Sequence, residues 1–155
     1  MRWMLVLLSL SALSAAGPEL RNVKSVYLLP MANGFDQYLA NQLQASNLYV
    51  VVANPQAADA VITSAIGPAF ERKMDELYVE KADEEEGDLK GNDSVPRGNF
   101  RRGQGMVFIV ERKSRQVVWS AYEPSKDARS GSLDQAARRV TERLKKELNG
   151  QTPSK

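Results

Sequence analysis

Residues 23–53 read VKSVYLLPMANGFDQYLANQLQASNLYVVVA. Val23 to Leu29 is a β-rich run that Pro30 stops, because proline has no N–H to give to a sheet ladder. Asn33-Gly34 is a turn pair. After it Phe35, Leu39 and Leu43 recur every four residues through Asp36 to Ser46, the spacing of one helix face, with Asn47 as the C-terminal stop. Leu48 to Ala53 is continuously apolar and β-branched, the signature of a strand buried on both faces. Strand, helix, strand in so short a span is the pattern of a parallel crossover, which layers a helix on a sheet.

Beyond this stretch Asn54-Pro55 opens a short helical turn through Ala58, with Asn as cap and Pro at the first helical position. Val61 to Ile66 is a third strand, stopped by Gly67-Pro68. Phe70, Met74, Leu77 and Tyr78 then mark a second amphipathic helix starting at Pro68 or Ala69. Residues 81–105 scatter Ala82, Leu89, Val95 and Phe100 among charges, Gly, Pro, Asn and Ser, the composition of a solvated, flexible loop. Gly103-Gln104-Gly105 is the hinge where that loop re-enters the sheet. Met106 to Val110 and Gln116 to Tyr122 are apolar strands about a polar turn, Glu111 to Arg115, and predict an antiparallel hairpin. Ser132 and Gln135 form a capping box for a last helix, whose stripe is Leu133, Ala137, Val140, Leu144 and Leu148, with Gly150 past its end. The order is β-α-β-β-α-loop-β-β-α. It predicts an α/β two-layer sandwich, a mixed five-stranded sheet with the helices packed on one face. Residues 17–150 make a single domain and 151–155 a disordered tail.

The N-terminus is patterned differently. Arg2 is a short basic region, Trp3 to Leu13 an apolar run, and Ser14-Ala15-Ala16 supplies the small residues of a cleavage site, so residues 1–16 read as a secretory signal peptide cut near Ala16. The run is about 11 residues, short of the roughly 20 that span a bilayer. Periplasmic or secreted localisation follows as an expectation. No Cys follows the run to carry a lipid anchor.

The 155 residues contain no Cys and no His. That excludes a disulfide framework or disulfide-linked partner, a thiolate nucleophile, a thiolate or imidazole zinc site and a Ser-His-Asp triad. No cofactor motif is present. The formal charge is +2, but it is unevenly spread: residues 71–93 carry ten acids against four bases, and 97–155 fourteen bases against six acids. The acidic run Asp83 to Glu86 with Asp88 is consecutive and lacks the alternation of a calcium loop. The bases concentrate at Arg97, Arg101, Arg102, Arg112, Lys113, Arg115, Arg138, Arg139, Arg143, Lys145 and Lys146. Phe100 is the one aromatic interleaved among them, so nucleic acid is not an expected partner, whereas peripheral contact with an anionic membrane surface is compatible. Trp119, Tyr122 and Tyr27 lie in apolar strands, where aromatics favour the core. Phe100, Arg101, Arg102, Trp119 and Tyr122 together are the candidate interaction surface.

Ala57 to Gly67 resembles the "alanine-aspartate, then a strand ending in glycine" element of small bacterial envelope domains, among them the curli-secretion lipoprotein family and the amino-terminal domain of the Tol-system propeller protein. Met106 to Tyr122 resembles their hairpin, whose second strand carries Val-Trp-Ser, and Leu133 to Leu148 matches their closing helix in position. The resemblance spans about residues 23–148 and implies an envelope protein with a binding or scaffolding role and no catalytic residues; the chain departs from it in lacking the lipobox cysteine. The expected function is a non-enzymatic exported domain that binds another envelope protein through the sheet edge or the loop at 81–105. Two other classes stay open. A carboxylate-dependent hydrolase acting on envelope glycans needs two of Asp36, Asp59 and Glu111 within roughly 5–10 Å in a cleft. A small-molecule or lipid carrier needs an apolar cavity behind Trp119 and Tyr27.

Overall fold

A computed structural model describes residues 18–78 and 105–150. The expected signal segment, the 81–104 part of the expected loop and the expected tail lie outside the described residues. Helix α1 (Pro18–Asn22) precedes β1 (Ser25–Leu28), α2 (Phe35–Ala45), β2 (Val50–Val51), β3 (Ala60–Thr63), α3 (Pro68–Tyr78), β4 (Met106–Glu111), β5 (Val117–Tyr122) and α4 (Ser130–Leu148). The five strands form one mixed sheet in the order β2-β1-β3-β4-β5. β1 runs parallel to β2 and to β3, while β3–β4 and β4–β5 are antiparallel. The α/β class, the mixed sheet and the hairpin are as the sequence predicts.

Local chemistry sets most boundaries. Asn33 and Gly34, with φ of 58° and 69°, make the left-handed step that turns the chain from β1 into α2. Asn47, with φ of 52°, ends the exit from α2. The Asn54 side chain accepts from the Gln56 N–H over a 3₁₀ turn with Pro55 at its start. α4 departs from expectation. It starts at Ser130, after a turn in which the Asp127 carboxylate accepts from the Arg129 N–H at 3.0 Å. Ser132, the expected cap, therefore falls inside the helix, and Arg129 stands at the cap without a side-chain hydrogen bond.

Two further expectations are corrected. β2 is not buried on both faces: it is a two-residue edge strand, and Val50 is 63% exposed. Nor do the helices share one face. Ala60 and Ile62 of β3, with Val107 and Ile109 of β4, pack in one core with Leu39 and Leu43 of α2 and Ala137, Val140 and Leu144 of α4. Val61 and its partner Val110 point the other way and pack with Phe70 and Met74 of α3. β3 is buried at every position, so its two sets of alternating side chains each need a cover, and α3 supplies the second.

Polar contacts hold these layers in register. Gln42 Nε2 donates to Asp134 Oδ1 at 2.7 Å between α2 and α4. Arg115 in the hairpin turn bridges Glu71 at 3.1 Å and Asp75 at 3.0 Å on α3. At the amino end of β1 and β3, Asp59 Oδ2 accepts from the N–H groups of Lys24 and Ser25 at 2.9 Å and from the Ser25 hydroxyl at 3.0 Å. Burial pushes the Asp59 carboxyl up, but these donors and the charge of Arg112 outweigh it and hold it below its ordinary value of 3.8. A carboxyl depressed on folding stabilises above its unfolded pKa and loses that contribution as pH falls through the folded one. Asp59→Ala is therefore expected to cost about 1–2 kcal/mol at pH 7. In urea titrations, the gap between wild type and variant should persist at neutral pH and narrow only below the ordinary carboxylate value. A gap that closes already between pH 7 and 5 would contradict this role.

Candidate functional site

The residues singled out from sequence are not brought together. Trp119 is 7% exposed and belongs to the core beneath α2 and α4. It is not surface, because its position in β5 pairs with Ile109 and so shares that residue's inward face. Tyr122, three residues on, points to the other face and is 57% exposed. Phe100, Arg101 and Arg102 lie outside the described residues, as does the acidic run at 83–88. A protein starting at residue 17 should show this burial directly: Trp119, then its only tryptophan, is expected to emit at short wavelength and resist iodide quenching, whereas a surface tryptophan would be quenched readily.

Of the candidate carboxylates, Asp36 lies at the opposite end of the sheet from Asp59 and Glu111, which are neighbours across β3 and β4. Asp36, buried, accepts from the Met31 N–H at 2.9 Å at the carboxyl end of β1; Asp59 closes the opposite end of that strand; Glu111 accepts from the Ser114 N–H in the hairpin turn. Each is engaged in holding backbone. Tyr27 and Trp119 sit on opposite faces of the sheet, so they share no cavity. Part of the basic set is paired locally: Arg138 with Asp134, and Arg139 and Arg143 with Glu123. Arg112 lies 5.4 Å from the ring centre of Tyr78 and donates to the Gln56 carbonyl.

What the fold does assemble is a crevice that sequence reasoning missed. The chain leaves β1 for α2 on one face and leaves β3 for α3 on the other. The carboxyl ends of these adjacent parallel strands are thus a topological switch point, the place where open α/β sheets leave room for ligands. A cavity of about 240 Å³ lies there, bounded by the β1–α2 turn, Ser64 after β3, Gly105 before β4 and the segment between β5 and α4. Met31, Phe35, Met106 and Leu133 give it apolar walls. Ser64 continues the alternation of β3 one step past Thr63, onto the side of Ile62 and the α2/α4 layer. It is 8% exposed, lines the cavity, and its hydroxyl has no partner among the described residues. A buried hydroxyl left unmatched costs about 1–3 kcal/mol. The acids at the cavity are already engaged: Glu123 by Arg139 and Arg143, Asp127 by the Arg129 N–H. Lys126 has no carboxylate within ion-pair distance among the described residues.

A second feature is the β5 edge of the sheet, which pairs with no further strand among the described residues. Glu123 N–H donates to the Gly105 carbonyl at 2.7 Å, toward β4. Backbone groups alternate sides along a strand, so those of Ser120 and Tyr122 point away from β4. β5 is six residues, Val-Val-Trp-Ser-Ala-Tyr, with no charge and no proline inside it, and Val117 is 44% exposed at its start. Natural edge strands are usually shortened, charged or covered. β2, at the other edge, is short; β5 is neither short nor charged.

Comparison of the chain with protein-family models, curated proteins and solved structures returns no match.

Proposed function

We propose that the protein is an exported, non-enzymatic binding domain of the bacterial cell envelope that takes a protein partner by adding an extended segment to the β5 edge. The carrying observation is the uncharged, six-residue edge strand with the backbone groups of Ser120 and Tyr122 turned outward. Main-chain hydrogen bonds along such an edge supply affinity, and alternate side-chain positions supply selectivity. The export reading supports it through Trp3 to Leu13 and Ser14-Ala15-Ala16. The non-enzymatic reading is supported by the lack of His and Cys and by the engagement of Asp36, Asp59 and Glu111 with backbone donors.

A photo-crosslinking amino acid at Ser120, compared with one at exposed Gln44 on α2, tests this in intact cells. A discrete protein adduct at 120 and none at 44 is expected. Ser120→Pro removes only an outward N–H, a substitution edge strands tolerate. It should leave the fold intact by circular dichroism and cut capture by a crosslinker at Tyr122 about tenfold. Equal adducts at both sites, or capture unchanged by Ser120→Pro, would sink the edge-binding mode.

A further inference from the structure

We propose that the switch-point cavity is a binding site for a small monocarboxylate with an apolar body, the acid group held by the Ser64 hydroxyl and the Lys126 ammonium. The inference is independent of strand addition at β5. Three observations combine. The cavity lies where the helices after β1 and β3 diverge to opposite faces, the position at which this architecture leaves its backbone open to ligands. The buried Ser64 hydroxyl on its wall has no hydrogen-bond partner among the described residues and is able to donate. The polar groups around it are unbalanced toward donation, because Glu123 is held by Arg139 and Arg143 and Asp127 by the Arg129 N–H, while Ser64 has no hydrogen-bond partner and Lys126 no ion pair among the described residues.

An incoming group must therefore present acceptor oxygens, and a charged one gains most against an ammonium and a desolvated hydroxyl. Two helices of eleven and nineteen residues begin at the cavity, which adds a modest preference for negative charge. The walls formed by Met31, Phe35, Met106 and Leu133 ask for an apolar remainder. At about 240 Å³ the space falls below the ~300–1,000 Å³ of sites for drug-sized molecules. That favours a short acyl or side-chain-sized body. A free short-chain acid and the carboxyl terminus of a peptide share this chemistry.

The test is an amide chemical-shift titration of the full chain with sodium hexanoate, with hexanol as the uncharged match, and with a short apolar peptide carrying either a free or an amidated C-terminus. Saturable shifts confined to the amides of Asn33, Ser64 and Ser125 are expected with hexanoate or the free-acid peptide, the tighter of the two naming the source, and weaker ones with hexanol and the amide. Ser64→Ala should weaken binding about tenfold and Lys126→Met several-fold. Ser64→Ala should also leave the melting temperature unchanged or raised, since the hydroxyl it removes has no partner to lose. The proposal is overturned if neither acid shifts these amides, if hexanol matches hexanoate, or if both variants bind like wild type.

Discussion

Gly105→Ala should lower the melting temperature by about 10 °C, equivalent to about 3 kcal/mol in a domain of this size. Gly105 sits at φ +90°, in the region L side chains rarely enter, and a Cβ there would stand 2.6 Å from Pro124 Cα and 2.8 Å from Pro124 N. Both are backbone atoms, so no side-chain rotation relieves the contact. Nor can the chain easily draw apart, because the Glu123 N–H is bonded to the Gly105 carbonyl at 2.7 Å across the same step. Gly67→Ala is the control. Its φ is +115° but nothing lies within 4 Å of the added methyl, so it carries the backbone strain alone, about 1 kcal/mol. Thermal melts of the two variants separate strain from collision. If both lose the same few degrees, the close approach of Gly105 to Pro124 is not maintained. Because Gly105 also lines the switch-point cavity, the variant should perturb that end of the sheet before the Asp59 end.

What was legible in the chain follows from how far each signal reaches. The left-handed turn at Asn33-Gly34, the stop at Asn47, the Asn54 cap and the hairpin about Glu111 to Arg115 are decided by neighbours in sequence, and the structure has them where the residues predict. The face that a helix covers is decided elsewhere. Phe70, Met74, Leu77 and Tyr78 declare an apolar stripe on α3 but say nothing about which side of the sheet receives it. That depends on Val61 and Val110, whose shared orientation exists only once β3 and β4 pair. Val50 shows the same limit in reverse. An apolar run reads as doubly buried, yet at the edge of a sheet it has no strand beyond it to pack beside. The cavity was illegible for a further reason: Met31, Ser64, Gly105 and Lys126 come from four segments with no spacing in common. The one local trace was Gly103-Gln104-Gly105, read as a hinge. Its Gly105 is indeed the glycine whose left-handed backbone and close contact build the wall.

The placement of α3 has its own large consequence. Met74 is fully buried among Val61, Val110 and Phe70, and Leu43 is fully buried on the other face with Leu39, Val140 and Leu144. Truncating either leaves a void that the surrounding backbone cannot close, at a cost of about 2–5 kcal/mol. Met74→Ala is thus expected to destabilise the protein as severely as Leu43→Ala, although α3 packs on its face without the second helix that α4 gives α2. Were α3 resting loosely against the domain, Met74→Ala would behave like a surface change, within about 0.5 kcal/mol. The double variant sharpens the comparison. The two side chains are separated by the sheet and have no packing partner in common, so their costs should add to within about 0.5 kcal/mol. A strongly sub-additive pair in urea unfolding would mean that the two faces share one core, as in a two-layer sandwich. Additive losses of several kcal/mol each would establish β3 as the central strand of three layers, and with it the divergence of α2 and α3 that opens the switch-point cavity.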